Sequence, residues 1–135
     1  MKGLFLILLP LIAIFAAGPA SADDVRNDGN LLLPSCNAVV LAMDNGTTPK
    51  DKFGMGFCLG LVQGITMSNR LQQASKSPAS PLFCIPQDGI ENGQAARVLV
   101  KYLREHPQHL HLDDFTLAIS AFQEAYPCAP RQSGR

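Results

Sequence analysis

The stretch LDDFTLAISAFQEAY, residues 112–126, decides the fold class. Leu112, Phe115, Ile119, Phe122 and Tyr126 recur at alternating intervals of three and four, the spacing that lines one face of an α-helix. Asp113 and Asp114 fall in the first turn of that helix, where negative charge complements the helix dipole. A helix is therefore expected over about Leu112–Ala125. The segment before it repeats the pattern. Ala95, Val98, Leu99, Tyr102 and Leu103 form an apolar stripe on a helix from about Ile90 to Glu105, which Pro107 stops.

Working further outward, a long helix is expected from about Lys52 to Ala74. Phe53, Phe57, Leu61 and Ile65, extended by Ser68, share one of its faces. Gly56, Gly60 and Gly64 stand four apart on an adjacent stripe. Each glycine in a helix costs about 1 kcal/mol relative to alanine, so the regular spacing implies a use. Close packing inside the monomer is the favoured use, and contact with a second subunit or a partner is the alternative. The first helix is expected from about Asn30 to Met43, with Asn30 as its N-cap. Pro34 falls in or near the first turn, where a missing amide is tolerated, and Asp44-Asn45-Gly46 supplies a turn at the other end. Lys76 to Gly89 holds three prolines and no sustained period. No stretch supports a strand of useful length. The expected fold is all-α, a small four-helix bundle.

The N-terminus reads as an export signal. Lys2 gives a basic start, Leu4 to Ala17 is apolar apart from Pro10, and Ala20-Ser21-Ala22 offers a small-x-small cleavage site. The apolar run is too short for a bilayer span, which needs roughly 20 residues. The expected divisions are a signal peptide at 1–22, a helical domain at 23–128 and a flexible tail at 129–135. Cleavage removes Lys2, the one charged residue before Asp23, and takes the formal charge from zero to −1. That balance gives no electrostatic case for nucleic acid or an anionic membrane. Asn45-Gly46-Thr47 would be a glycosylation site only in a eukaryotic secretory route, and the compartment reads as bacterial.

Four cysteines follow the cleavage site: Cys36, Cys58, Cys84 and Cys128. An even number in an exported chain reads as disulfides, and their wide spacing is unlike the close ligand pairs of a zinc site. If the last two helices form an antiparallel hairpin, Cys84 before the third meets Cys128 after the fourth. Cys36 and Cys58 then pair by elimination. The other two connectivities remain open at this point.

No constellation for catalysis is present. Nucleophilic chemistry needs an activated Ser or Cys beside an oriented base, and the cysteines are better used as cross-links. Asp113 and Asp114, adjacent on a helix, diverge by about 100° and serve the helix start. His106, His109 and His111 cluster between the third and fourth helices, yet no other ligand type recurs beside them. His106 suits a helix C-terminus and His111 a cap on the next helix. Nothing calls for a metal or a cofactor.

The order of motifs adds to this reading. Gly29-Asn30-x-Leu32-Leu33-Pro34-x-Cys36 opens the domain, Phe57-Cys58-Leu59-Gly60-x-Val62-x-Gly64 follows, and Phe83-Cys84-Ile85-Pro86 precedes the third helix. Lys101-Tyr102-Leu103-x-x-His106-Pro107-x-x-Leu110-His111 and Ala125-Tyr126-Pro127-Cys128 complete the set. Together they resemble the Rap/Tai family of immunity proteins, which protect bacteria from type VI secreted peptidoglycan amidases. Two departures are conservative: Leu61 where an aromatic is frequent, and Tyr126 where Phe is usual. The resemblance implies a helical periplasmic protein, not an enzyme, that binds an incoming amidase and blocks its active-site cleft, with dimers among its relatives. It also implies that the four cysteines are scaffold and that inhibitory contacts lie on variable surface such as Ser75–Gly89 or Asp44–Lys52. The alternative expectation is a general periplasmic stress or chaperone-like helical protein.

Overall fold

The structure, a computed structural model, describes residues 27–46, 50–75 and 80–129. The expected signal peptide and all but the first residue of the expected tail lie outside the described residues. Four helices follow in order: α1, Gly29–Asn45; α2, Lys52–Ala74; α3, Asn92–Glu105; and α4, Asp114–Ala125. A single 3-10 turn, Pro107–His109, joins α3 to α4. The described residues contain no strand, only an isolated antiparallel bridge between Asp28 and Asp113. The all-α bundle expected from the sequence is what forms.

Local chemistry sets the helix ends. Asp28, not Asn30, caps α1, its carboxylate accepting from the amides of Asn30 and Leu31. The Asn30 side chain instead donates to the Leu110 carbonyl at 3.1 Å. Pro34 lies inside α1, and the helix runs on past it to a left-handed Gly46. Asp51 caps α2 through the Gly54 amide. Asp113 caps α4 by accepting from the Thr116 amide at 2.9 Å, so the cap role expected of His111 belongs to Asp113. The same cap bond holds the Asp113 carboxyl below the usual carboxylate range. Gly29 donates to the Leu112 carbonyl and Asp114 to the Asn27 carbonyl, which seats the start of α1 against the start of α4.

α1 packs against α2 and α3, and α3 against α4. The core draws Leu32, Cys36 and Val39 from α1, Cys58, Val62 and Ile65 from α2, Leu99 and Leu103 from α3, and Leu117 and Phe122 from α4. Ala95, Ala96, Ala118 and Ala121 are also fully buried, and such small residues let helix axes approach closely. This geometry corrects two expectations. On α2 the core row is Gly54, Cys58, Val62, Ile65, Thr66 and Asn69, not the Phe53-Phe57-Leu61 row, and Phe53 is 84% exposed. On α4 the core row centres on Leu117, Ala118, Ala121 and Phe122, which leaves Phe115 half out in solvent.

Two disulfides cross-link the bundle. Cys36–Cys58 joins α1 to α2 with Cα atoms 5.1 Å apart, and Cys84–Cys128 joins the α2–α3 connection to the end of α4 at 4.8 Å. This is the connectivity that the hairpin argument favours. In the chain-entropy account the larger loop contributes about 4 kcal/mol and the smaller about 3.5 kcal/mol. The first bond is wholly buried, whereas Cys128 is exposed.

Candidate functional site

The connection from α2 to α3 has no regular structure in its described part, residues 80–91, yet it is braced along its length. Asn69, buried on α2, is the main brace. Its side-chain oxygen accepts from the amides of Leu82 (2.9 Å) and Phe83 (3.3 Å), and its side-chain nitrogen donates to the Phe83 carbonyl at 2.7 Å. Gln73, one turn on, donates to the Ile85 carbonyl, and Gln123 from α4 donates to the Leu82 carbonyl. The Cys84 amide donates to the Tyr126 carbonyl at 2.8 Å, next to the Cys84–Cys128 bond. Phe83 and Ile85 point into the core, where the Phe83 ring lies 5.1 Å from that of Phe122. A turn closed by the Gly89 amide on the Pro86 carbonyl follows, with Gly89 at φ +80°. Pro86, Gln87 and Asp88 are left exposed at its tip. The result is a projecting loop whose shape is fixed from beneath.

Asn69 carries no motif and is not among the residues that the sequence singles out. The available signal was its position: Val62, Ile65 and Asn69 follow one another at helical spacing, so an amide interrupts an apolar row. A buried amide there needs partners, and the backbone of a neighbouring irregular segment supplies them.

The second feature is the outer face of α2. Phe53 (84% exposed), Met67 (53%) and Leu71 (68%) stand opposite the core row, with Gly56, Gly60 and Gly64 between them. A Cβ placed on any of these three glycines would meet no other atom within 4 Å. The close intramolecular packing expected of them is therefore absent; open space lies over the stripe. The glycines that do admit a neighbour are others. A Cβ on Gly29 would lie 2.8 Å from Leu110 Cα, and one on Gly54 2.9 Å from Ser35 Oγ. Beside the α2 stripe runs a trough of about 330 Å³, with Gly60, Gly64 and Ile65 on one side and Phe115, Ile119 and Leu82 on the other.

Two of the three histidines, His106 and His109, stack with Tyr102, and His111 stands exposed outside the stack. The His106 ring lies 4.2 Å from that of Tyr102 and 5.5 Å from that of His109, near-parallel to both. His106 Nδ1 is 2.9 Å from the Tyr102 carbonyl, so it carries the proton, and Nε2 faces Glu124 at 4.0 Å. Among the described residues no group of three His, Cys, Asp or Glu side chains is placed to share a metal ion, and no cysteine is free. No described helix is long and apolar enough to cross a membrane.

What the arrangement offers is surface: a braced loop and an apolar helix face on a cross-linked body. Comparison with curated proteins and with solved structures finds no match. The model of the Rap1a immunity proteins, by contrast, matches residues 28–128. That span starts at the Asp28 cap and ends at Cys128, the last disulfide partner, and so takes in all four helices and both cross-links. The chain belongs to the Rap1a immunity protein family.

Proposed function

We propose that the protein is a periplasmic immunity protein that binds a type VI secreted peptidoglycan amidase and occludes its active site. Export depends on the signal peptide at 1–22, cleaved after Ala22. Family membership supports the immunity role, and two disulfides suit an oxidising compartment outside the cytoplasm. The observation that carries the mechanism is the braced 82–89 loop. A cleft is blocked most tightly by a segment already held in its bound shape, because little conformational freedom is then lost on binding. Asn69, the Cys84–Cys128 bond and the buried Phe83 ring all hold this loop, while Pro86, Gln87 and Asp88 remain free to touch a partner.

Titration of the cognate amidase tests this reading. Activity should fall to zero near one equivalent of the disulfide-bonded protein. Gln87→Arg combined with Asp88→Lys should weaken inhibition without lowering the melting temperature, because both side chains are exposed. An amidase that stays fully active under an excess of the protein would end the proposal. Inhibition unaffected by the loop substitutions would remove the loop from it.

A further inference from the structure

We infer that Arg70 is the residue through which the braced loop selects its partner, by way of a carboxylate that the partner brings to the groove between α2 and Pro86. The inference rests on the loop reading above and adds the chemistry of the contact. From Lys52 to Ala74, α2 holds no acidic residue, so nothing on its own helix neutralises Arg70. Asp88 and Glu91, the acids of the facing connection, do not pair with it either. The ion pairs among the described residues are Arg97–Asp44, Lys101–Glu105 and His106–Glu124. An exposed cation is thus left, among the described residues, without a counter-charge at the foot of the loop.

The guanidinium nevertheless has a defined seat. Gly89, at φ +80°, leaves open the space that a side chain would fill, and Arg70 lies against it. A Cβ on Gly89 would stand 3.2 Å from Arg70 Nη1 and 3.7 Å from its Cζ. The bond from the Gly89 amide to the Pro86 carbonyl closes this turn, so the seat belongs to the loop's fixed shape. From there Arg70 borders two hollows. One, of about 290 Å³, runs between Gln73 on α2 and Ile85, Pro86 and Gln87 on the loop. The other, of about 100 Å³, lies against Thr66, Ile90 and Asn92. Among the described residues Arg70 is the one charged residue lining either.

The chemistry of that lining names the group it takes. A guanidinium presents its donors in a rigid planar fork and accepts nothing, and in a protein partner the matching group is a carboxylate. Ile85 and Pro86 give the larger hollow an apolar wall, which suits the short stem of a Glu or Asp side chain. In the free protein, water solvates the exposed guanidinium. A partner that covers the groove strips this water, which strengthens a guanidinium–carboxylate pair. A partner without the carboxylate would instead bury an unpaired charge. The penalty on the wrong partner makes the contact selective as well as attractive.

The test measures inhibition of the cognate amidase by the disulfide-bonded protein, from about 50 mM to about 500 mM salt. Arg70→Gln should raise the inhibition constant at least ~30-fold with the melting temperature unchanged, since the guanidinium has no partner within the chain to lose. Arg70→Lys, which keeps the charge and loses the fork, should recover part of that loss. The association rate of the wild type should fall as salt rises, and that of Arg70→Gln should fall less. A residue that only propped the turn would leave the salt response unmoved. Arg70→Glu should abolish inhibition, and changing one acidic surface residue of the amidase to Arg should restore it. The inference is overturned by an inhibition constant indifferent to Arg70→Gln, by a salt response that Arg70→Gln leaves unaltered, or by failure of every such reversal to restore inhibition. If Gln87→Arg with Asp88→Lys weakens inhibition and Arg70→Gln does not, this inference falls and the loop reading stands. An amidase untouched by the wild-type protein ends both.

Discussion

Replacing Asn69 with alanine should cost far more than its modest side chain suggests. The amide spans α2 and the 82–83 backbone through three bonds, to the Leu82 amide, the Phe83 amide and the Phe83 carbonyl. Leu82 lies near the surface, so water can replace the first bond; Phe83 is fully buried, and its two backbone groups would be left without partners. Each orphaned buried group costs about 1–3 kcal/mol, which puts the loss at about 2–6 kcal/mol before any cavity term. Against a domain stability of about 5–15 kcal/mol that is a large fraction. Urea unfolding of the disulfide-bonded protein reads it as a lower midpoint. Asn69→Asp sharpens the test. It keeps the acceptor for Leu82 and Phe83 but turns a carboxylate oxygen toward the Phe83 carbonyl, so at neutral pH it should be at least as damaging as alanine. Burial would raise the folded-state pKa of the introduced acid, so its penalty should shrink as pH falls and the carboxyl becomes a donor again. A loss under about 0.5 kcal/mol for Asn69→Ala, the range of ordinary surface changes, would refute the claim that this residue braces the loop.

The remaining expectations use contrasts within the chain. Gly60→Ala should stabilise the monomer by up to about 1 kcal/mol through helix propensity, because nothing lies near its Cβ direction, whereas Gly29→Ala should destabilise it through the clash with Leu110 Cα; thermal melts of the two variants should shift in opposite directions. Under graded reductant, alkylation and peptide mapping should find Cys84 and Cys128 modified well before Cys36 and Cys58, since Cys128 is exposed and the other bond is wholly buried. Asp113→Asn keeps a capping oxygen without a charge. Because the native carboxyl is shifted down from 3.8, its stabilisation is present above that value and is lost as pH falls through the lower folded-state value. The advantage of wild type over Asp113→Asn should therefore be visible near pH 5 and shrink progressively as pH falls below 3.8.

Helix number, order and approximate ends were legible in the sequence because they rest on local chemistry: the Asn45-Gly46 turn, Pro107, and apolar periods; the caps were not, since Asp28, Asp51 and Asp113 hold those positions rather than Asn30 or His111. The disulfide pairing was legible as a preference, since a hairpin of α3 and α4 brings Cys84 and Cys128 together. The buried faces of α2 and α4 were not. Both helices offer more than one apolar row, and the row with the largest side chains looks best on paper. The structure buries Cys58, Val62 and Asn69, and Ala118 and Ala121, instead. Helices crossing closely around a small core favour small residues at the crossings, so bulk misleads. That choice depends on neighbours distant in sequence, such as Cys36 for Cys58 and Phe83 for Asn69. The glycine stripe follows the same cause: once the core row moves, Gly56, Gly60 and Gly64 turn outward, away from the close packing inside the monomer that their spacing favours.

The two cross-links divide the work of holding this small domain together. Cys36–Cys58 is buried at the α1–α2 contact and ties those two helices together inside the core. Cys84–Cys128 adds little to the core. It ties the braced loop to the residues just past α4, beside the bond from the Cys84 amide to the Tyr126 carbonyl. Reduction of that second bond alone removes the larger of the two loop constraints, about 4 kcal/mol in the chain-entropy account, and frees the loop to sample other shapes, so it should lower stability and partner binding together. The region expected to recognise another protein is thus the region whose order depends most on an oxidising surrounding, which ties its readiness to bind to the compartment in which the disulfide can form.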